Sequence, residues 1–260
     1  MAGEESRAAD GRAVIEVVTL VTGAASGIGL ACSRRLVERG DRVVCVDLSP
    51  DTTRLAPEIG AALGLVVDVA ASDECDAAVT AAVEQLGHVD HLVAAAGIEL
   101  TGPAHEMDDD TWHRVQRVNV DGCFFMARAV GRHLIGRGTG GSIVLLGSIN
   151  SQIAMPGQVA YVTSKGAVLQ LGRGLAIDWG RYGIRVNVVG PGVIDTPLNA
   201  ASFASPERIA YYGRRAALGR YGRPEEIASV VQFLTCDDSS YMTGAYVPVD
   251  GGWLAGERPQ

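Results

Sequence analysis

Residues 17–47 read VVTLVTGAASGIGLACSRRLVERGDRVVCVD, and this stretch decides the fold. VVTLVT (Val17 to Thr22) and RVVCVD (Arg42 to Asp47) are short apolar runs of strand length. Between them, GIGLACSRRLVERG (Gly27 to Gly40) reads as a helix that stops on glycine. TGAASGIG (Thr22 to Gly29) joins the first strand to this helix. Gly23, Gly27 and Gly29 let the backbone turn sharply and approach a ligand closely. The helix points its free N–H groups and the positive end of its dipole at the same loop. Strand, glycine loop and helix in that order make a site for a pyrophosphate.

The alternation continues along the chain. Further strands are expected at LGLVVDV (Leu63 to Val69), HLVAAAG (His91 to Gly97), GSIVLLGS (Gly141 to Ser148), IRVNVVGPG (Ile184 to Gly192) and AYVPVDGG. Helices are expected at SDECDAAVTAAVEQLG with a serine cap, from Asp108 to about Arg137, across AYVTSKGAVLQLGRGLAIDW, and at GRPEEIASVVQFLT with Pro224 in its first turn. Thr196 to about Gly222 lacks a clear period, so a substrate lid is expected at about 197–222. Nearly all-apolar strands alternating with helices imply a parallel sheet covered on both faces. The expected fold is α/β: a single doubly wound Rossmann-type domain over residues 13–260, with a seven-stranded parallel sheet and a disordered tail at residues 1–12.

Composition excludes several functions. Of 260 residues, 47% are hydrophobic and 20% charged, and the net charge of −8 argues against nucleic acid and against an anionic membrane surface. Cys32, Cys45, Cys75, Cys123 and Cys236 show no C-x-x-C spacing, so no metal site is expected and the thiols read as free. His88, His91, His105, His113 and His133 show no ligand spacing either. MAGEESRAADGR carries no apolar leader, and no apolar run is long enough to span a bilayer. A soluble cytoplasmic protein is expected.

Asp47 stands 18 residues after Gly29, near the spacing at which an acid accepts hydrogen bonds from the adenosine ribose hydroxyls. Its charge repels a 2′-phosphate, which favours NAD over NADP. Asp68, at the end of the third apolar run, is placed to receive the adenine amino group. In YVTSK, Tyr161 and Lys165 are four residues apart and share one helical face.

With these motifs in order, residues 14 to 254 resemble the short-chain dehydrogenase/reductase family. The match rests on TGAASGIG, Asp47, Asp68, AAAG (Ala94 to Gly97), Asn119 in RVNVDG, Ser148 in LLGSIN, YVTSK, VNVVGPG with Ile194-Asp195-Thr196, and VDGG. The resemblance implies hydride transfer between a nicotinamide and an alcohol or ketone, with Asn119, Ser148, Tyr161 and Lys165 as the catalytic set. Tyr161 would be base in oxidation and acid in reduction. Lys165 would lower the phenol pKa and hold the nicotinamide ribose. Ser148 would hydrogen-bond the substrate oxygen, and Asn119 would hold a water linking Lys165 to solvent. The implied cofactor surface comprises Gly23, Ser26, Gly27, Ile28 and Gly29, then Asp47, Leu48, Asp68 and Val69, then Ala95, Ala96 and Gly97. Tyr161, Lys165, Pro191, Gly192, Ile194 and Thr196 complete it at the nicotinamide end.

Ala95-Ala96-Gly97 departs from the family's usual Asn-Ala-Gly, which bears on stability or cofactor affinity. Asn150, Gln158 and Leu198 are the candidate substrate contacts. Gln152 or Gln158 would donate to a second polar group, as on a polyol or hydroxy-ketone, and Arg214 and Arg215 would meet a carboxylate or lie in solvent. The leading expectation is an NAD-dependent oxidoreductase acting on a secondary alcohol. The alternatives are an NADPH-dependent 3-oxoacyl thioester reductase and a non-catalytic dinucleotide sensor. The resemblance also implies a homotetramer, with Phe124, Phe125 and Trp179 available either to an interface or to the interior.

Overall fold

The computed structural model describes residues 16–203 and 205–256. The tail expected at residues 1–12 lies outside the described residues. Seven strands form one sheet: β1 Val18–Thr22, β2 Arg42–Asp47, β3 Leu63–Val66, β4 His91–Ala94, β5 Gly141–Leu146, β6 Ile184–Pro191 and β7 Tyr246–Val249. Their order is β3-β2-β1-β4-β5-β6-β7, and every neighbouring pair is parallel. Helices supply the crossovers that parallel pairing requires. They are α1 Gly27–Arg39, α2 Thr52–Glu58, α3 Ser72–Leu86, α4 Asp109–Gln116, α5 Gly122–Arg137, α6 Val159–Trp179, α7 Ala200–Phe203, α8 Pro206–Arg215 and α9 Pro224–Leu234.

Side chains alternate across the sheet, so each strand feeds two cores. Leu20, Val44, Leu92, Ile143 and Leu145 pack with Met126, Leu134 and Val168 of α5 and α6. Their neighbours Val21, Val43, Cys45, Val93 and Val144 pack with Leu36 of α1 and Ile227, Val231 and Leu234 of α9. The strand order reverses between β1 and β4, and a crevice opens there at the carboxyl ends of the strands. Among the described residues no helix is long and apolar enough to cross a membrane.

Several local expectations change. Strands β3, β4 and β5 end before the apolar runs do, at Val66, Ala94 and Leu146, so Asp68, Gly97 and Ser148 lie on loops beyond the last paired residues. Ser72 does not cap α3. The cap position is Ala71, and the Ser72 hydroxyl accepts from Arg128 Nη2 at 2.7 Å. The long helix is α4 and α5 joined through a π-helical turn, Arg117–Asp121. The segment expected to be irregular holds a 3-10 turn, Pro197–Asn199, then α7 and α8. The apolar partners of Tyr212 and Ala216 there are Ile149 and Trp253, remote in sequence. Trp179 packs inside the subunit, since a Cβ at Gly131 would sit 2.7 Å from its ring.

Asp90 knots β1 to the end of α5. Its carboxylate accepts from the Val18 N–H at 2.8 Å and from Arg137 Nη1 at 2.6 Å. Burial pushes the Asp90 carboxyl up, but these bonds outweigh it and hold the carboxyl below the usual carboxylate range. We predict that Asp90→Asn lowers unfolding free energy at neutral pH by about 1–3 kcal/mol, read by urea denaturation. A depressed pKa means the contribution is present above the unfolded-state pKa of about 4 and is lost as pH falls through the folded value. Wild type and variant therefore converge in acid.

Candidate active site

The glycine loop is folded back on itself. Gly23 and Gly27 have φ of 68° and 52°, in the left-handed region. A Cβ at Gly29 would overlap the Gly23 carbonyl oxygen, and a Cβ at Gly23 would sit 2.8 Å from the Ala96 nitrogen. Ser26 makes no side-chain cap on α1, and the first turn of α1 carries no acidic residue. The N–H groups of that turn, including those of Ile28 and Gly29, stay available to an anion.

Over this loop lies a groove of about 830 Å³, walled by Asp47, Leu48, Asp68, Val69, Ala95, Ala96 and Gly97 and, from α4, by His113 and Arg114. Asp47 is held in place because its oxygens accept from the Ala25 N–H at 3.0 Å and the Ser49 N–H at 2.9 Å. Its carboxylate keeps lone pairs for further donors. Leu48 is 66% exposed and offers an apolar surface at the rim. Asp68 accepts from the Ala70 N–H at 2.9 Å, and Val69 is buried against Gly122. The missing asparagine side chain leaves the β4 loop anchored: the buried Thr22 hydroxyl accepts from the Ala95 and Ala96 N–H groups, both at 3.1 Å.

A second cavity, of about 80 Å³, shares Ile28, Ala95, Gly97, Thr196 and Leu198 with the groove. Ser148, Tyr161, Lys165, Pro191, Gly192 and Ile194 complete its wall. Thr196 lies over Gly27, where a Cβ would be 3.4 Å from its side chain. Ile194 is buried, and its carbonyl accepts from Asn199 Nδ2 at 2.9 Å. Ser148 caps a 3-10 turn, Ile149–Ser151, by accepting from the Asn150 N–H at 3.1 Å. Lys165 donates from Nζ to the Leu146 carbonyl at 2.8 Å and lies 5.6 Å from the Tyr161 ring centroid. Asn119 sits in the π-helical turn, accepts from the Ile98 N–H at 2.8 Å, and donates to the Ile98 carbonyl and the Ser164 hydroxyl, both at 2.9 Å.

The electrostatics correct one expectation. In the protein alone the Tyr161 phenol is raised, not lowered. Burial is the main cause, the Glu99 charge adds to it, and the Ser148 hydroxyl works the other way. Burial also holds the Lys165 ammonium below the usual lysine range, with Cys123 and Glu99 opposing.

Beside Tyr161 and Ser148 lies a third small cavity, of about 60 Å³, reached by Asn150, Gln158, Leu198 and Tyr212. It also holds Glu99, which the sequence reading missed. Glu99 follows Gly97 on the loop leaving β4, the same strand-end setting that marked Asp47 and Asp68. Gln158 Nε2 donates to Glu99 Oε1 at 2.5 Å, and Asn150 Nδ2 donates to Gln158 Oε1 at 2.5 Å. Gln152, by contrast, is exposed and lines none of these three cavities. Arg214 is exposed, and the Arg215 guanidinium packs over Trp253 at 5.3 Å.

A family model described as enoyl-(acyl carrier protein) reductase matches residues 23–254. The chain belongs to the short-chain dehydrogenase/reductase family. It is 42% identical to galactitol 2-dehydrogenase (L-tagatose-forming) of Cereibacter sphaeroides, over 90% of this chain and 93% of that one. It is 39% identical to 2-(R)-hydroxypropyl-CoM dehydrogenase of Xanthobacter autotrophicus, over 92% and 98%. The crystal structure of a gluconate 5-dehydrogenase from Burkholderia cenocepacia in complex with NADP and tartrate superposes with a TM-score of 0.88 at 35% identity, covering 92% of this chain and 96% of that one. Like these members of the family, the protein is a hydride-transfer oxidoreductase acting on CH–OH groups.

The residues present fit a dinucleotide: the loop has no room for a Cβ at Gly29, and the groove is of ligand size. We predict that Gly29→Ala, which forces the loop off the Gly23 carbonyl, weakens NADH binding at least about tenfold in a fluorescence titration.

Proposed function

We propose that the protein oxidises a secondary alcohol to its ketone with NAD, using Tyr161 as general base and Ser148 and Lys165 as its partners. The observation that carries this reading is the convergence of Ser148, Tyr161 and Lys165 on one cavity that shares walls with the nucleotide groove. The glycine loop and the groove over it would hold the dinucleotide, whose nicotinamide would supply the hydride acceptor. Tyr161, as phenolate, takes the hydroxyl proton of the substrate. The Ser148 hydroxyl donates to the substrate oxygen and stabilises charge there. Lys165, fixed by the Leu146 carbonyl, supplies a positive charge that favours the phenolate. In reduction Tyr161 returns the proton.

Burial and Glu99 keep the phenol protonated in the protein alone, and the positive charge of an oxidised nicotinamide opposes them. Proton abstraction is thereby favoured when the oxidised cofactor is in place. Asp47, already fixed by the Ala25 and Ser49 N–H groups, would accept from the ribose hydroxyls and repel a 2′-phosphate. Asp68 and Leu48 would face the adenine. Asn119 would serve the proton path from Lys165. Leu198, Asn199 and Tyr212, which wall the small cavity, would close over the substrate as α7 and α8 move. Family resemblance supports a homotetramer in the cytoplasm, and sedimentation analysis reads the assembly directly.

Three outcomes test this reading. Tyr161→Phe lowers kcat by about 10²–10⁴ while NADH still binds. If Tyr161→Phe turns over like the wild type, Tyr161 is not the base. Oxidation requires the phenolate, so kcat/KM for the alcohol climbs with pH up to the pKa of the phenol in the cofactor complex. The reverse reduction, which requires the phenol, declines above that pKa. Asp47→Ser shifts the NADP-to-NAD ratio of kcat/KM upwards by at least about tenfold. An unchanged ratio means that Asp47 does not face the ribose.

A further inference from the structure

The hydrogen-bonded chain beside the catalytic tyrosine ends on a carboxylate, and this says what a substrate must bring. Gln158 spends its amide on both sides, donating to Glu99 Oε1 and accepting from Asn150 Nδ2. Asn150 is 4% exposed, and its Oδ1 is buried without a hydrogen-bond partner. The other Glu99 oxygen is also left as acceptor, since the Oε1 atom takes the Gln158 bond. Glu99 therefore has only an acceptor left for a ligand, whereas the Gln158 and Asn150 amides each have a second N–H beyond the one these bonds use. Among the described residues no lysine or arginine lines this cavity, although Glu99 places a carboxylate in it. Tyr161 and Ser148 stand in the same wall.

We propose that Glu99, held by Gln158 and through it by Asn150, forms a hydroxyl-receiving subsite, and that the substrate is a short neutral polyol whose second hydroxyl donates to Glu99 while the first reacts at Tyr161. The inference rests on the oxidoreductase reading above and names its substrate class. A hydroxyl has the proton that the Glu99 carboxylate lacks. A ketone, ester or thioester at that point has no proton to donate, so it would leave the free carboxylate oxygen without a partner. A carboxylate adds like-charge repulsion with no cation in the wall to offset it. The subsite thus selects against aldonates, acyl thioesters and simple alcohols by different physical means. Gln158 acts as the positioning residue, because its amide holds one oxygen of the Glu99 carboxylate. The Glu99 charge also adds to burial in raising the Tyr161 phenol.

The experiment compares kcat/KM with NAD, and again with NADP, for erythritol, xylitol and galactitol against cyclohexanol, gluconate and a 3-hydroxybutyryl thioester. Wild type and Glu99→Gln are run side by side, with NADH affinity and melting temperature as controls. Glutamine keeps the volume and can still accept from Gln158, but it offers an amide N–H to the substrate. The expected result is that at least one polyol exceeds each of the other compounds by about tenfold or more. Glu99→Gln then lowers the polyol-to-cyclohexanol ratio by about tenfold, mostly through KM, at unchanged NADH affinity. It also moves the pH profile of oxidation towards acid, because a negative charge near the phenol is gone. Should that variant fold poorly, Asn150→Ala supplies the same ratio test. Best turnover on gluconate, the thioester or cyclohexanol overturns the inference and leaves the oxidoreductase reading standing. So does an equal loss on all substrates accompanied by a lower melting temperature, which would make Glu99 structural. No turnover on any compound with either cofactor removes the oxidoreductase reading and this inference with it.

Discussion

The site hangs on one buried amide. Asn119, with no exposed surface, grips both backbone groups of Ile98 on the loop after β4 and donates to Ser164 on α6. Ser164 in turn donates to the Tyr161 carbonyl at 2.7 Å. The helix that carries Tyr161 and Lys165 is thereby locked to the strand loop that lines the nucleotide groove. Lys165 adds a second tie, to the Leu146 carbonyl at the end of β5. Gly97 lies close against this network, since a Cβ there would be 3.3 Å from Asn119 Oδ1 and 3.6 Å from Lys165 Nζ. The polar network is buried and its Asn119 groups are satisfied, which makes it rigid.

The parallel sheet explains why so many separate segments reach this place. Every strand delivers its carboxyl end to the same edge, and the reversal of strand order leaves a crevice there. The residues immediately past the last ladder bonds, Asp68, Gly97, Glu99 and Ser148, bend into the crevice because they are no longer bound by pairing. Two apolar cores hold the sheet from both sides, so the edge is a rigid platform for loops.

Burial sets the charge balance of that platform. It raises the Tyr161 phenol and lowers the Lys165 ammonium, so each charged form is disfavoured by itself. A phenolate and an ammonium side by side offset one another, whereas the Glu99 carboxylate opposes the phenolate. The same carboxylate leaves the small cavity with a negative wall and a free acceptor oxygen. Proton transfer at Tyr161 and recognition of a neighbouring hydroxyl are thus coupled through one residue.

The sequence alone determined the sheet, the crossovers and the glycine loop, because those follow from local periodicity and from residues close together in the chain. The strand–loop–helix order at Val17 to Gly40 and the YVTSK spacing are of that kind. Tertiary structure alone decided the placement of α8, where Tyr212 packs with Ile149 and Trp253, both distant in the chain. It also decided that Trp179 lies inside against Gly131 and that Gln152 faces solvent while Gln158 turns inwards. Glu99 meets Gln158 across 59 positions, and Asn119 meets Ser164 across 45. No periodicity spans such distances. The direction of the Tyr161 shift was hidden for the same reason: helical spacing placed Lys165 near it, but burial and the approach of Glu99 exist only once the chain has folded.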